Sequence, residues 1–243
     1  MTDRIGDDYQ KRTKYHRSRM PGGTELTTPA PPFKTYKNVL RMELPEPQTE
    51  GGPGLWNIVA ARRSERDFDV TRSIGMEKLS TLLWAVQGIT ARIGRFPLRA
   101  CPSAGALYPV ETYLAVGKIE GLKPGAYHLD ILNWDLEQLH QGDIRPQLAR
   151  AALGQAIVAE AAATAVFSSI VARSKWKYGE RGYRYMYLDA GHIGQNLALA
   201  AKALDMGSCA IGAFFDDEVN AVFGLDGEHE TAIYMTCFGP VMR

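Results

Sequence analysis

Between Tyr183 and Phe215 the chain opens with polar and aromatic residues and becomes almost wholly apolar after Asn196. Ala190, Ile193, Leu197, Ala200 or Ala201, and Leu204 recur at three- or four-residue steps, the period of a helix. Ala198, Leu199 and Ala203 fill the other faces. A helix apolar nearly all round is expected to be buried, inside one chain or between two. Gly207 suits its C-terminal end, because glycine takes the left-handed conformation that terminates helices. The segment Cys209 to Phe214 is too short and apolar for another helix and reads as a strand or strand-like turn.

Elsewhere the pattern predicts a mixture. Leu55, Ile58 and Val59 share one face of a short helix that ends at Arg62 and Arg63. Met76, Leu79, Leu82, Leu83 and Val86 mark a second helix with Gly88 as its stop. A polar, glycine-bearing connection then leads to Cys101-Pro102-Ser103-Ala104-Gly105-Ala106-Leu107-Tyr108-Pro109. Residues 111–116 and 125–129 read as a hairpin around Lys123-Pro124-Gly125, with weak alternation again from Trp134 to Leu139. Asp143 is a helix N-cap, and residues 163–171 form a buried strand. Residues 172–182 read as a polar linker, Asp216 caps a helix through Phe223, and residues 231–238 are the last strand. Without a regular βαβα alternation the class is α+β. Seven of the 13 prolines fall before residue 55, a density that opposes helix and central strand alike. We therefore expect an extended arm over residues 1–54, with Tyr9 to Met20 as a solvated basic stretch or a wrap around a partner, and one domain over residues 55–243.

Composition narrows the classes. The 243 residues are 45% hydrophobic and 23% charged, an ordinary globular balance. A net charge of +1 gives no global field to call for nucleic acid or an anionic membrane. Lys202 and Asp205 interrupt the longest apolar run, so no membrane span is expected, and the first residues lack the apolar core of a secretory signal. Cys101, Cys209 and Cys237 are odd in number and widely spaced, which fits neither a disulfide framework nor a zinc site; a cytoplasmic location and no metal are expected.

Four clusters could carry chemistry. Arg62, Arg63, Ser64 and Arg66 offer three guanidiniums and a hydroxyl, a cradle for phosphate, or else a solvated patch balanced by Glu65 and Asp67. Ser103 to Ala106 are small residues between Pro102 and Pro109, able to approach a flat ligand or simply to connect. Backbone amides among Ala210, Ile211, Gly212 and Ala213 would be free to donate to a cofactor, or the segment is a core strand. Lys177-Tyr178 is a possible acid/base pair, or part of a solvated linker. His192 has no second histidine or carboxylate at i+4, and reads as a packing or capping residue. The fingerprints H-E-x-x-H, Walker A, G-x-S-x-G and G-x-G-x-x-G are all absent.

Taken in order, these stretches resemble one family. A-R-R-S-E-R-D-F resembles the opening R-R-S-x-R-x-F of the nitroreductase superfamily of flavoenzymes. P-S-A-G-A-L-Y-P-V-E, G-Y-R-Y-x-x-L-D-A-G-H-I-G-Q-N-L-x-L-A-A and C-A-I-G-A-F-x-D-D resemble its SagB-type dehydrogenase branch, which includes azoline oxidases of modified peptides. Tyr9 to His16 resembles that branch's N-terminal arm. The resemblance implies an α+β nitroreductase-like FMN-binding fold, with a central mixed or antiparallel sheet flanked by helices, in an intertwined homodimer. It implies that Arg62, Arg63 and Ser64 hold the phosphate and ribityl end and that Arg66 lies near the pyrimidine edge. Pro102, Ser103, Ala104, Gly105 and Leu107 would reach the flavin from the partner's side, and Ala210 to Ala213 would lie along the ring, with an amide of Gly212 or Ala213 facing N5. Arg243 would reach the phosphate, and Lys177-Tyr178 matches the basic pair of the azoline oxidases. Two departures stand out. The wider family's P-S-x-x-N-x-Q-P is P-S-A-G-A-L-Y-P here, so Ala106 and Tyr108 lack its flavin-contacting amides, and the sequence ends at Arg243 itself.

Three functions follow as expectations. The first is an FMN-dependent oxidoreductase working in ping-pong fashion, with NAD(P)H as a candidate reductant. The second is an azoline dehydrogenase with Lys177 or Tyr178 as base. The third is a flavin-binding scaffold that does not turn over.

Overall fold

The computed structural model describes residues 4–18, 30–94 and 96–242. Its helices are α1 (Ile5–Arg12), α2 (Leu55–Ala61), α3 (Met76–Gln87), α4 (Arg145–Ala151), α5 (Ile157–Glu160), α6 (Ala172–Tyr178), α7 (Gly182–Ala203) and α8 (Asp216–Phe223). Its strands are β1 (Leu40–Glu43), β2 (Ile89–Ile93), β3 (Phe96–Arg99), β4 (Val110–Val116), β5 (Gly125–Asp130), β6 (Asp135–Gln141), β7 (Ala163–Ile170), β8 (Gly207–Ile211) and β9 (Glu230–Gly239). Seven strands form one sheet in the order β1-β6-β5-β4-β7-β9-β8, every pair antiparallel, while β2 and β3 form a separate hairpin.

The central strands β4 and β7 carry apolar side chains on both faces, so the sheet must be covered on both sides. Leu114, Val116, Ala165 and Phe167 face α3 and α7, packing with Leu79, Leu83, Ile193 and Leu197. Tyr113, Ala115 and Val166 face the opposite layer, with Leu148, Val158, Val219 and Phe223 from α4, α5 and α8. The long helix α7 lies close on the sheet: a Cβ at Gly194 would stand 2.5 Å from the Tyr234 ring, so only glycine permits that approach. Its buried stripe is Met186, Asp189, Ala190, Ile193, Gly194, Leu197 and Ala201, while Tyr187 and Leu188 are more than half exposed. The helix is thus buried on one side by its own chain and bare on the other. Trp56 of the adjoining α2 is 81% exposed.

Local structure departs from the sequence pattern at several points: α7 closes at Ala203, so Gly207 begins β8 rather than ending the helix, and β1, within the expected arm, is the edge strand of the sheet. Residues 88–101, expected as a loop, contain the β2–β3 hairpin, whose alternation Ile89, Ala91, Ile93 is too short and too interrupted by arginine to stand out. Residues 172–182, expected as a linker, are α6 and a single 3-10 turn, because Arg173 and Ser174 are buried rather than solvated. The basic stretch after Tyr9 belongs in part to α1, with Asp7 and Asp8 in its first turn and Lys11 and Arg12 in its last, each favourable to the helix dipole. Arg181 and Arg184 at the start of α7 donate to the Thr13 and Gln10 carbonyls and the Thr13 hydroxyl, at 2.7–2.9 Å.

Charges are buried in the sheet itself. His128 on β5 is fully buried, with Nδ1 2.7 Å from Glu137 and Nε2 3.0 Å from Glu111. Arg173 of α6 pairs with Glu111, and Arg41 of β1 pairs with Glu137, Asp130 and Asp135, so that a guanidinium fills that carboxylate cluster. Lys34 and the Tyr113 hydroxyl share Glu230. Burial opposes a charge on His128, but the two glutamates outweigh it and hold its pKa above the usual value. A raised folded pKa stabilises the fold fully below about pH 6.5, the unfolded value, and that contribution fades as pH rises through the folded one. Urea titrations across this range should show wild-type stability declining above about pH 6.5, with the decline absent in His128→Gln. A decline of equal size in the variant would assign it to other groups.

Candidate functional site

The arginine cluster sits where α2 ends. Arg62 leaves the helix with extended backbone, and the next residues run alongside β8: Ser64 bridges Ser208, and the Glu65 N–H donates to the Ser208 carbonyl at 3.0 Å. Arg63 donates to the carbonyls of Ala60 and Arg62 at 3.0 and 2.7 Å, and Arg66 reaches the Ser64 carbonyl at 3.3 Å. Among the described residues no carboxylate forms an ion pair with Arg62, Arg63 or Arg66; Glu65 and Asp67, the local candidates, do not. Arg63, Ser64 and Arg66 are exposed and Arg62 half-buried, so three positive charges lie within five residues without an ion pair among the described residues.

Strand β8 leads from this loop to the second element. Ile211 is buried, while Ala210, Gly212 and Ala213 are exposed, and a Cβ at Gly212 would meet nothing within 4 Å. The segment is nonetheless fixed. Gln155 Nε2 donates to the Ala213 carbonyl at 3.1 Å, and the Phe215 N–H to Ala151 at 2.8 Å. An open strand end with fixed, exposed backbone beside these arginines offers a flat anionic cofactor both charge and free backbone. Arg243, expected at its phosphate, lies outside the described residues.

Residues 102–108 form a separate and tightly made loop. Asp189, on the buried stripe of α7, accepts from Ser103 Oγ at 2.6 Å and from the Ala104 N–H at 3.2 Å. Ser103 Oγ in turn accepts from the Tyr108 N–H at 2.9 Å. Burial pushes the Asp189 carboxyl above its ordinary pKa, and these hydrogen bonds only partly offset that. The turn bends so sharply that Gly105, Ala106 and Tyr108 all have positive φ. Pro102 is exposed at its entry, and Leu107 is half-buried.

Lys177 and Tyr178, at the end of α6, press on this loop. A Cβ on Gly105 would fall 2.5 Å from Tyr178 Oη and 2.8 Å from Lys177 Nζ, so with φ of +63° a side chain there would be strained and would displace the ends of both. Tyr178 packs edge-on against Tyr185 with centroids 4.7 Å apart. One turn earlier on α6, Arg173 holds the arrangement. It is buried, pairs with Glu111, and donates to the Pro31 carbonyl at 2.6 Å and the Tyr108 carbonyl at 3.3 Å. Sequence reasoning missed Asp189, Arg173 and Glu111. Asp189 had a signal, a carboxylate on the core stripe of an otherwise apolar helix; Arg173 and Glu111 had none.

Within the single chain the clusters therefore form two groups. One is Arg62 to Arg66 with the end of β8; the other is the loop 102–108 with Lys177 and Tyr178. A cleft of about 750 Å³ is lined by residues of the second group and by none of the first. His192 is exposed on the bare face of α7, away from the buried stripe. Asp189→Ala should lower stability by about 1–3 kcal/mol by orphaning the Ser103 hydroxyl and Ala104 amide. Amide hydrogen exchange should locate the loosening at residues 103–108; exchange unchanged there would mean the loop is held by other contacts.

A nitroreductase family model matches residues 59–240. MJ1384 of Methanocaldococcus jannaschii, described as a nitroreductase, is 32% identical over 168 residues, covering 69% of this chain and 83% of that protein. The trifolitoxin-processing protein TfxB of Rhizobium leguminosarum bv. trifolii is 31% identical over 140 residues, covering 56% of this chain but 38% of TfxB. A crystal structure described as a nitroreductase from Anabaena variabilis superposes with a TM-score of 0.71 at 30% identity, over 84% of this chain and 42% of that one. The chain thus spans less than half the length of the latter two.

Proposed function

Given that the chain belongs to the nitroreductase family, a family generally of oxidoreductases, we propose that it is an FMN-dependent oxidoreductase. The observation that carries this reading is the set of three guanidiniums without an ion pair among the described residues, Arg62, Arg63 and Arg66, joined by β8 to the exposed, fixed backbone of Gly212 and Ala213. Arg62, Arg63 and Ser64 would hold the phosphate and ribityl chain, planar guanidiniums being suited to bidentate phosphate contacts. Arg66 would place positive charge at the pyrimidine edge, where reduction builds up negative charge. Bound FMN supplies the hydride chemistry.

The site would be completed across a homodimer. Two features support this: loop 102–108 with Lys177 lines a cleft that the arginine cluster does not, and α2 and α7 leave Trp56, Leu55, Tyr187 and Leu188 bare. Exposed apolar surface of this kind is characteristic of an interface. Sedimentation velocity tests this, and a flavin-loaded monomer would overturn it.

A narrower reading is favoured by the contact of Lys177 and Tyr178 with Gly105 and by the similarity to a toxin-processing protein. In it the substrate is a heterocycle in a modified peptide, and the reaction desaturates the ring. Lys177 or Tyr178 would take the proton from the ring carbon, held at a fixed place by Arg173, Glu111 and the loop. Of the two, Lys177 is the more exposed and can reach toward a ligand, while Tyr178 is partly buried.

The purified protein should take up FMN and turn yellow. Arg62→Ala or Arg63→Ala should weaken FMN about 10- to 100-fold, read by flavin fluorescence titration. Lys177→Ala and Tyr178→Phe should retain flavin but slow oxidation of an azoline peptide by about 100- to 10,000-fold. A colourless protein that fails to bind added FMN would sink the first reading; full peptide oxidation by both variants would sink the second.

A further inference from the structure

The cleft of about 750 Å³ beside Lys177 has an unusual balance of chemistry. Its walls are apolar and stiff, built from Pro32, Phe33, Pro97, Leu107 and Trp176. Among the described residues its charged lining is wholly cationic: Arg99, Arg173 and Lys177. Arg173 already has Glu111 as its partner. Arg99, the last residue of β3, is only 5% exposed and forms no ion pair among the described residues; nearby Glu111 acts on its charge but is engaged by Arg173 and His128.

A guanidinium taken out of water without a counter-ion is costly, and neutral hydrogen bonds offset that only in part. Arg99 Nη1 donates to Gln87 Oε1 at 3.0 Å, and Nη2 makes a longer 3.3 Å bond to the Pro32 carbonyl. Its Nε is buried and has no partner among the described residues. The Tyr108 ring lies 4.6 Å and the Phe33 ring 5.4 Å from the guanidinium carbon, so aromatic faces flank the charge. Desolvation brings its pKa down to about 10, which leaves it charged at neutral pH. Tyr108 also ties this end of the cleft to the strained loop, since its hydroxyl accepts from the Arg99 N–H at 3.0 Å.

We propose that this cleft seats a substrate bearing a carboxylate on an apolar, planar body, with Arg99 as the anchor for the carboxylate. The proposal rests on the reading of Lys177-Tyr178 as the reactive end of the site, because both Lys177 and Arg99 line the same cleft. The carboxylate would take the Nη2 donor capacity now spent on the long bond to Pro32. The aromatic and proline walls suit a flat body, and the one lining guanidinium without an ion pair among the described residues suits one negative charge. The recognised group would thereby set the distance from carboxylate to reacting carbon, which makes Arg99 a specificity-determining residue rather than a catalytic one.

The test is calorimetric titration with three probes: 3-phenylpropionate, its amide and phenyl phosphate. Each is measured with and without saturating FMN, and flavin uptake is read separately from the visible spectrum. The acid should bind at least about tenfold more tightly than the amide. Arg99→Gln should erase that difference while flavin uptake stays unchanged. Arg99→Lys, which keeps the charge but loses the planar fork, should weaken the acid several-fold and leave the amide unaffected. Equal binding of acid and amide, no binding of either, or a difference that survives in Arg99→Gln would overturn the proposal. Tighter binding of phenyl phosphate than of the acid would overturn the carboxylate assignment. Failure of FMN uptake in the wild type would instead count against the flavin reading, whatever the acid–amide comparison shows.

Discussion

Two glutamates and a histidine buried in the middle of a sheet cannot stand there without counter-charges. Glu111, His128 and Glu137 satisfy one another, and the remaining negative charge calls in Arg173 from α6 and Arg41 from β1. Taking such charges out of water is costly unless every partner is in place, so each partner's position is tightly specified. Much of the molecule hangs on this. Arg41 fixes the edge strand, Lys34 and Thr35 bring the segment after residue 30 onto the sheet, and Arg173 fixes α6. Because Lys177 lies one turn beyond Arg173, the same charge pair that balances Glu111 also determines where the two candidate acid/base side chains can be.

Loop 102–108 is the second constraint, and it reaches the same place from the other side. Asp189 on α7 ties down Ser103 and Ala104, three residues adopt positive φ, and the ends of Lys177 and Tyr178 lie against Gly105. Backbone strain of this sort persists only where surrounding structure over-determines it. Here the surroundings are α6, α7 and the end of β3, and the cleft is lined by the loop, α6, β3 and residues 30–33. The arginine cluster and the end of β8 answer to neither constraint. They are placed by the bridge of Ser64 to Ser208 and by α2, whose bare apolar face adjoins that of α7.

Much of the fold was legible in the sequence because its signals were periodic. The three- and four-residue step of α7 and α3, the continuous apolar run of β7 and the Lys123-Pro124-Gly125 turn each report a local preference that the tertiary structure then uses. The β2–β3 hairpin and α6 were not legible. In β2 the alternation lasts only a few residues, and in α6 the residues that decide the matter, Arg173 and Ser174, are polar yet buried. A polar residue is read as solvated unless its partner is known, and Glu111 lies 62 positions away.

The sequence by itself determined which residue types are available at each end of the site. Arg62 to Arg66 form a local run of guanidiniums, Ser103 to Ala106 a run of small residues, and Lys177-Tyr178 an adjacent pair, and all three remain runs in any fold. Only the tertiary structure decided which of them meet. It set Lys177 and Tyr178 against Gly105 and left the arginines with β8, apart from both. It also showed Arg99 buried with no ion pair among the described residues, which no local pattern reports. The physical reason is common to these cases. Burial and charge pairing are long-range properties, set by the strands and helices that a residue is packed between rather than by its neighbours along the chain.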